Sequence, residues 1–139
     1  MRMSTHHVFA ATNAAAASGY LEALDRYIEA TNTHDFERVR PLLHADAVFR
    51  FSDADCVNLP AVQRYFEKAW STVQDERYEA INVAWRLPTP SIAIAFYTYR
   101  WAGLISGKVR NGQGRATNVF VAVPGDGWLL AHEHLSPVG

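Results

Sequence analysis

Residues 115–136 read RATNVFVAVPGDGWLLAHEHLS, two strand-forming runs joined by a turn cluster from Val123 through Pro124, Gly125, Asp126 and Gly127 to Trp128. β-Branched and aromatic residues flanking a Pro-Gly-Asp-Gly segment predict a β-hairpin. Folding the ribbon about that turn sets Val123 opposite Trp128, Val121 opposite Leu130, Val119 opposite His132 and Thr117 opposite His134 on one face. The other face then carries Asn118 opposite Glu133, amid Ala116, Phe120, Ala122, Leu129, Ala131 and Leu135. A carboxylate and an amide in largely apolar company need a physical reason to be there.

Desolvation raises a carboxyl pKa, which is how a glutamate becomes a general base or acid near neutral pH. Glu133 is therefore the leading chemical candidate, with Asn118 beside it. The alternative is structural: Asn118 hydrogen-bonds Glu133 across the strands, or Glu133 reaches water or an arginine. His132 and His134 share a strand face at two-residue spacing and could offer two imidazoles to a metal, but no third ligand stands nearby in sequence, so no metal is expected. Neither Ser136, Cys56 nor the remaining histidines sit in a nucleophile motif. Gly103, Gly107, Gly112 and Gly114 have no helix after them, which argues against a phosphate loop and for a hairpin loop.

Upstream, the helical period appears first. Tyr20, Leu21, Leu24, Tyr27, Ile28 and Thr31 form one face of an amphipathic helix starting at Gly19, with Glu22, Asp25, Arg26 and Glu29 on the other. A short second helix spans Asp35 to Leu43, and a short strand follows from Ala47 to Phe51. Asn58 is placed to cap a third helix with Pro60 in its first turn, burying Val62, Tyr65, Phe66, Ala69, Trp70 and Val73. Beyond Asp75 the period changes, and Tyr78–Leu87, Ile92–Trp101, Arg115–Val123 and Trp128–Ser136 read as extended segments. Helices followed by uninterrupted long strands predict an α+β fold, with about three helices packed on one face of a strongly curved antiparallel sheet.

Composition bounds the function. The 139 residues, 49% hydrophobic, suit one domain at 18–139 preceded by an N-terminal arm at 1–17. Thirteen basic and 14 acidic residues leave a formal net charge of −1, which disfavours nucleic acid and anionic membranes as partners. A lone cysteine rules out an intrachain disulfide and fits a reducing, cytoplasmic setting. No apolar run approaches the roughly 20 residues that span a bilayer, so a soluble protein is expected.

Four stretches resemble a known family: His34, Asp35, Phe36 and Glu37; Gln63 to Trp70; Ser91 to Phe96; and Gly127 to Pro137 with His132, His134 and Ser136. They look like the association domain of calcium/calmodulin-dependent protein kinase and its stand-alone bacterial relatives. From Tyr20 to Pro137 the chain resembles, in pattern and order, the SnoaL-like branch of the nuclear-transport-factor-2-like superfamily. That resemblance implies a cone-shaped fold with a pocket in its mouth, and homodimers formed through the sheet's outer face. It places Asn118, Glu133 and Leu135 in the pocket with Thr98, Arg100 and Phe120, bordered by Tyr65 and Trp70, and turns His132, His134, Thr117, Val119 and Trp128 outward. The positions matched to the kinase domain's pocket arginines hold Thr98, Asn118 and Leu135, so its acidic-ligand chemistry does not carry over. Arg100 could restore one charge if it faces inward; the alternative is that it snorkels to solvent. The superfamily also holds ketosteroid isomerase, polyketide cyclases and scytalone dehydratase, which implies cofactor-free acid–base chemistry on a small apolar carbonyl compound. In that case Glu133 is the base, and Tyr65, Asn118 or Thr98 supplies donors. A non-catalytic association module is the other reading.

Overall fold

The computed structural model describes residues 8–138. Helix α1 spans Val8–Thr31, α2 spans Phe36–Val39 and α3 spans Leu59–Thr72, with a 3-10 turn at Arg40–Leu42. Strands β1 (Leu43–Phe51), β2 (Ala54–Cys56), β3 (Gln74–Thr89), β4 (Ile92–Ile105), β5 (Lys108–Val123) and β6 (Gly127–Pro137) form one curved sheet in the order β2-β1-β6-β5-β4-β3. All pairs are antiparallel except β1 with β6, which run parallel, so the sheet is mixed rather than purely antiparallel.

α1 begins at Val8 rather than at Gly19, so only the first seven residues of the expected arm lie outside the described residues. Ala14 to Ala17 are strong helix formers, which carries the helix back through this stretch. The two other helix starts follow capping chemistry. Asp35 accepts from the Glu37 N–H at 3.0 Å, and Asn58 accepts from the Ala61 N–H at 2.9 Å with Pro60 in the first turn.

The long β4–β5 ribbon departs from the expected glycine loop. β4 runs on to Ile105 and β5 starts at Lys108, joined by Ser106 (φ 52°) and Gly107 (φ 79°), the left-handed pair that a tight two-residue hairpin needs. Gly112 and Gly114 are strand residues beneath aromatic rings: a Cβ on Gly112 would lie 2.6 Å from the Trp101 indole nitrogen, and one on Gly114 2.6 Å from the Tyr99 hydroxyl. Close approach of those rings, and at Gly114 of the Ser136 backbone carbonyl on β6 as well, is what requires glycine here, not a turn.

The last ribbon holds the expected register over its far half and slips near the turn. Thr117 faces His134, Asn118 faces Glu133 and Val119 faces His132, but Phe120 then pairs with Leu130 and Ala122 with Trp128. Ala131 is the extra residue of a bulge. It turns Trp128 and Leu130 onto the inner face, where both are buried, instead of the outer face that a regular ladder predicts. Trp128 meets Tyr20 of α1 edge-on at 5.7 Å. The core lies between this inner face and the helices: Leu24, Tyr27 and Ala30 of α1 and Val62 and Phe66 of α3 pack on Phe49, Ala93, Ala95, Ala116, Phe120 and Leu130.

Candidate functional site

Strand pairing decides which side chains reach the interior. Ala95 pairs with Asn118, and Asn118 with Glu133, so these three share a face. Along β4 that face is Ala93, Ala95, Tyr97 and Tyr99, all buried. Thr98 and Arg100 are therefore on the opposite side, not in the interior. Arg100 is exposed and pairs with Glu79 of β3, Nη2 to Oε2 at 3.0 Å. The expected parity of β4 is off by one residue, because both faces of that strand carry apolar side chains and alternation alone does not choose between them.

Glu133 is 2% exposed and Asn118 0%. The donor that reaches the carboxylate is a residue the sequence did not single out: Tyr27 of α1 donates its hydroxyl to Glu133 Oε1 at 2.8 Å. Burial pushes the Glu133 carboxyl up to about 7, against the Tyr27 hydrogen bond and the Asn118 amide, both of which favour the charged form. Asn118 acts from a contact that falls short of hydrogen-bond geometry. Burial, and then the charge of Glu133, raises the Tyr27 phenol well above its ordinary value, so it stays a donor.

Further hydroxyls crowd this carboxylate. Burial, then the neighbouring Tyr97 and Glu133, holds the Tyr78 phenol well above its ordinary range, and burial, then the charge of Glu133, does the same for Tyr97. The Tyr78 and Tyr97 hydroxyls, both polar atoms of the Asn118 amide and the Thr31 hydroxyl are buried without a hydrogen-bond partner. The signal for Tyr27 was available: it lies on the buried face of a helix, and a buried tyrosine hydroxyl usually finds an acceptor.

The other expected site residues divide. Phe120 is buried beside Trp85 at a ring distance of 5.9 Å, and Leu135 is half-buried against the core. Tyr65 is drawn to the β1–β2 hairpin, stacked on Phe51 at 3.8 Å with its hydroxyl donating to Asp53 at 2.7 Å. Trp70 stacks on His34 at 5.5 Å and meets Phe66 edge-on. His132 Nδ1 donates to the Val48 carbonyl at 2.8 Å, and His134 is exposed. Among the described residues no group of three or more His, Cys, Asp or Glu is placed to hold a metal ion. Two clefts flank the buried cluster. One, of about 570 Å³, lies between α1 and β3, and the other, of about 650 Å³, lies across β3, β4 and β5; Tyr78 lines both.

A SnoaL-like domain profile matches residues 21–139, from within α1 to the end of the sheet. The chain belongs to the SnoaL-like domain family. No curated protein sequence matches it. Solved structures share the fold of this SnoaL-like chain at low identity. A nuclear-transport-factor-2-like superfamily protein from Salmonella enterica Typhimurium superposes with a TM-score of 0.81 at 14% identity, covering 89% of this chain and 92% of its own. A provisionally named calcium/calmodulin-dependent protein kinase II association domain from Xanthomonas campestris gives 0.75 at 22% identity over 86% of each chain. A protein from Novosphingobium aromaticivorans provisionally named scytalone dehydratase gives 0.78 at 12%, covering 93% of this chain and 88% of its own. No helix among the described residues is long and apolar enough to cross a membrane.

Proposed function

We propose that this SnoaL-like chain is a small-molecule pocket protein in which Glu133 is the acid–base group, acting without a cofactor on an apolar carbonyl compound. One observation carries the reading: a 2%-exposed carboxyl whose direct donor is the Tyr27 hydroxyl is pushed up to about 7, where both of its protonation states are populated at neutral pH. In the charged form, Glu133 takes a proton from the carbon next to the carbonyl. The C–H bond breaks, an O–H bond forms on Glu133, and the electron pair moves onto the carbonyl oxygen. Tyr97 and the Asn118 amide are the nearby donors suited to that oxygen. Return of the proton to the same or another carbon completes exchange or isomerisation. Tyr65 and Thr98 have no part in this arrangement.

The test needs no knowledge of the natural product. Cyclic enones incubated with the protein in deuterium oxide should lose α-proton NMR signal faster than in buffer, and Glu133→Gln should abolish the excess rate. An unchanged excess in Glu133→Gln removes Glu133 from the chemistry.

A second reading has its own observation. The outer sheet face presents Phe96, 42% exposed, beside the half-buried Ile94, Val119 and Val121, and the fold is shared with an association domain. An apolar face of this kind fits a homodimer or larger assembly. Analytical ultracentrifugation should show dimers at micromolar concentration, and a monomer throughout contradicts it. The single Cys56 and the balanced charge fit a cytoplasmic protein with neither nucleic acid nor membrane as partner.

A further inference from the structure

The outer face of the sheet carries a cleft that the Glu133 site does not use. Pairing across β3, β4 and β5 aligns Tyr78, Trp101 and Gly112 in one row. Tyr78 and Trp101 point inward in step with Tyr97 and Tyr99, so on the outer side this row is bare backbone. The rows to either side point outward: Arg77, Ala102 and Asn111 on one flank, Glu79, Arg100 and Gln113 on the other. They wall a cleft of about 650 Å³ whose floor is that backbone. Val138 borders it, its N–H bonded to the Gln113 carbonyl at 3.1 Å. Ala102, in the middle of one wall, keeps the cleft open, and a volume of this size suits a small molecule.

The charges in the cleft are not matched among themselves. Arg100 donates to Glu79 through Nε at 3.2 Å and Nη2 at 3.0 Å, both to Oε2. Arg77 is exposed, and among the described residues no carboxylate pairs with it. Two guanidinium charges against one carboxylate leave an excess of one positive charge. A chain whose formal net charge is −1 thus gathers a local positive field in a concavity, where such a field attracts an anion. Asn111 and Gln113 add amides that donate without carrying charge.

We propose that this outer-face cleft is a further binding site, which takes a small organic acid with one carboxylate on a flat apolar body. Arg77 supplies the planar fork that a carboxylate accepts bidentately, with the Asn111 amide in the same row. Arg100, its fork occupied by Glu79, is left to stack on the face of the body. Side-chain rows two residues apart stand about 7 Å from each other, which admits one planar group between them. Glu79 selects against a doubly charged group, which one excess positive charge does not neutralise. The site is independent of the acid–base chemistry assigned to Glu133 on the other face.

The test is calorimetric titration of the full chain with benzoate, with the neutral benzamide and with phenyl phosphate. Wild type should bind one benzoate in the millimolar range or tighter, about tenfold better than benzamide and better than phenyl phosphate. Arg77→Gln should weaken benzoate about tenfold, Ala102→Leu should abolish its binding by filling the cleft, and Glu79→Gln should tighten it several-fold by removing a like charge. These three residues are exposed, so the variants should keep a Tm close to that of wild type. Absence of saturable benzoate binding, a benzoate affinity no better than that for benzamide or phenyl phosphate, or an affinity unchanged in Arg77→Gln overturns the proposal. Benzoate binding that survives in Ala102→Leu places the acid elsewhere and overturns it as well.

Discussion

Glu133 on β6 and Glu79 on β3 belong to the same sheet and differ in the face they occupy. Glu79 is on the outside, its side chain 55% exposed, with the Arg100 guanidinium 3.0 Å away. Glu133 is inside, 2% exposed, with a neutral phenol at 2.8 Å and, among the described residues, no cation paired with it. Outside, an ion pair exposed to water brings little gain or loss to the fold. Inside, no cation among the described residues pairs with the carboxyl, burial pushes it up to about 7, and the hydrogen bond it accepts comes from a neutral phenol. Burial, more than pairing, sets these two glutamates apart.

Truncation has the largest expected effect. Glu133→Ala strands the Tyr27 hydroxyl and opens a hole in the core, and should destabilise by about 4 kcal/mol in urea titration; a loss as small as that of Glu79→Ala would erase the distinction between the faces. Next comes pH. With the Glu133 carboxyl raised from 4.5 to about 7, the native state binds a proton that the unfolded state has released. Its contribution is fully present below about pH 4.5 and lost as pH rises to about 7, a decline of roughly 3 kcal/mol. Glu133→Gln should flatten that decline. Burial raises the Glu76 carboxyl to about 7 as well, so a slope of the same sign remains until Glu76→Gln is added. Tyr27→Phe should cost about 2 kcal/mol at pH 8 and less at pH 5, since the bond it removes favours the charged carboxylate. At the small end, Arg100→Ala should change stability by about 0.5 kcal/mol, and less in high salt.

The same contrast explains what the sequence disclosed. Asn118 opposite Glu133 followed from two-residue alternation about a recognisable turn, and the helix at Leu59 followed from Asn58 and Pro60. Alternation failed where both faces are apolar. On β4, Ile94, Phe96 and Thr98 read as inward-facing as readily as Ala95, Tyr97 and Tyr99, and strand pairing puts Thr98 and Arg100 on the outer side, opposite to the expectation. The bulge at Ala131 leaves no mark in residue type, and it alone moves Trp128 and Leu130 from outside to inside. Tyr27 and Tyr78 join Glu133 only through the docking of α1 and β3 on the sheet, a contact between residues 106 positions apart in the case of Tyr27. Local pattern holds no record of such a contact. The parallel pairing of β1 with β6 was invisible for the same reason.

Everything turns on the charge state of one side chain, which carbon-13 NMR of the Glu133 side-chain carboxyl reads directly when the signal is assigned by its loss in Glu133→Gln. The titration midpoint should fall near 7, moving higher in Tyr27→Phe and unmoved in Arg100→Ala. A midpoint in the ordinary glutamate range, about 4.3, would contradict it.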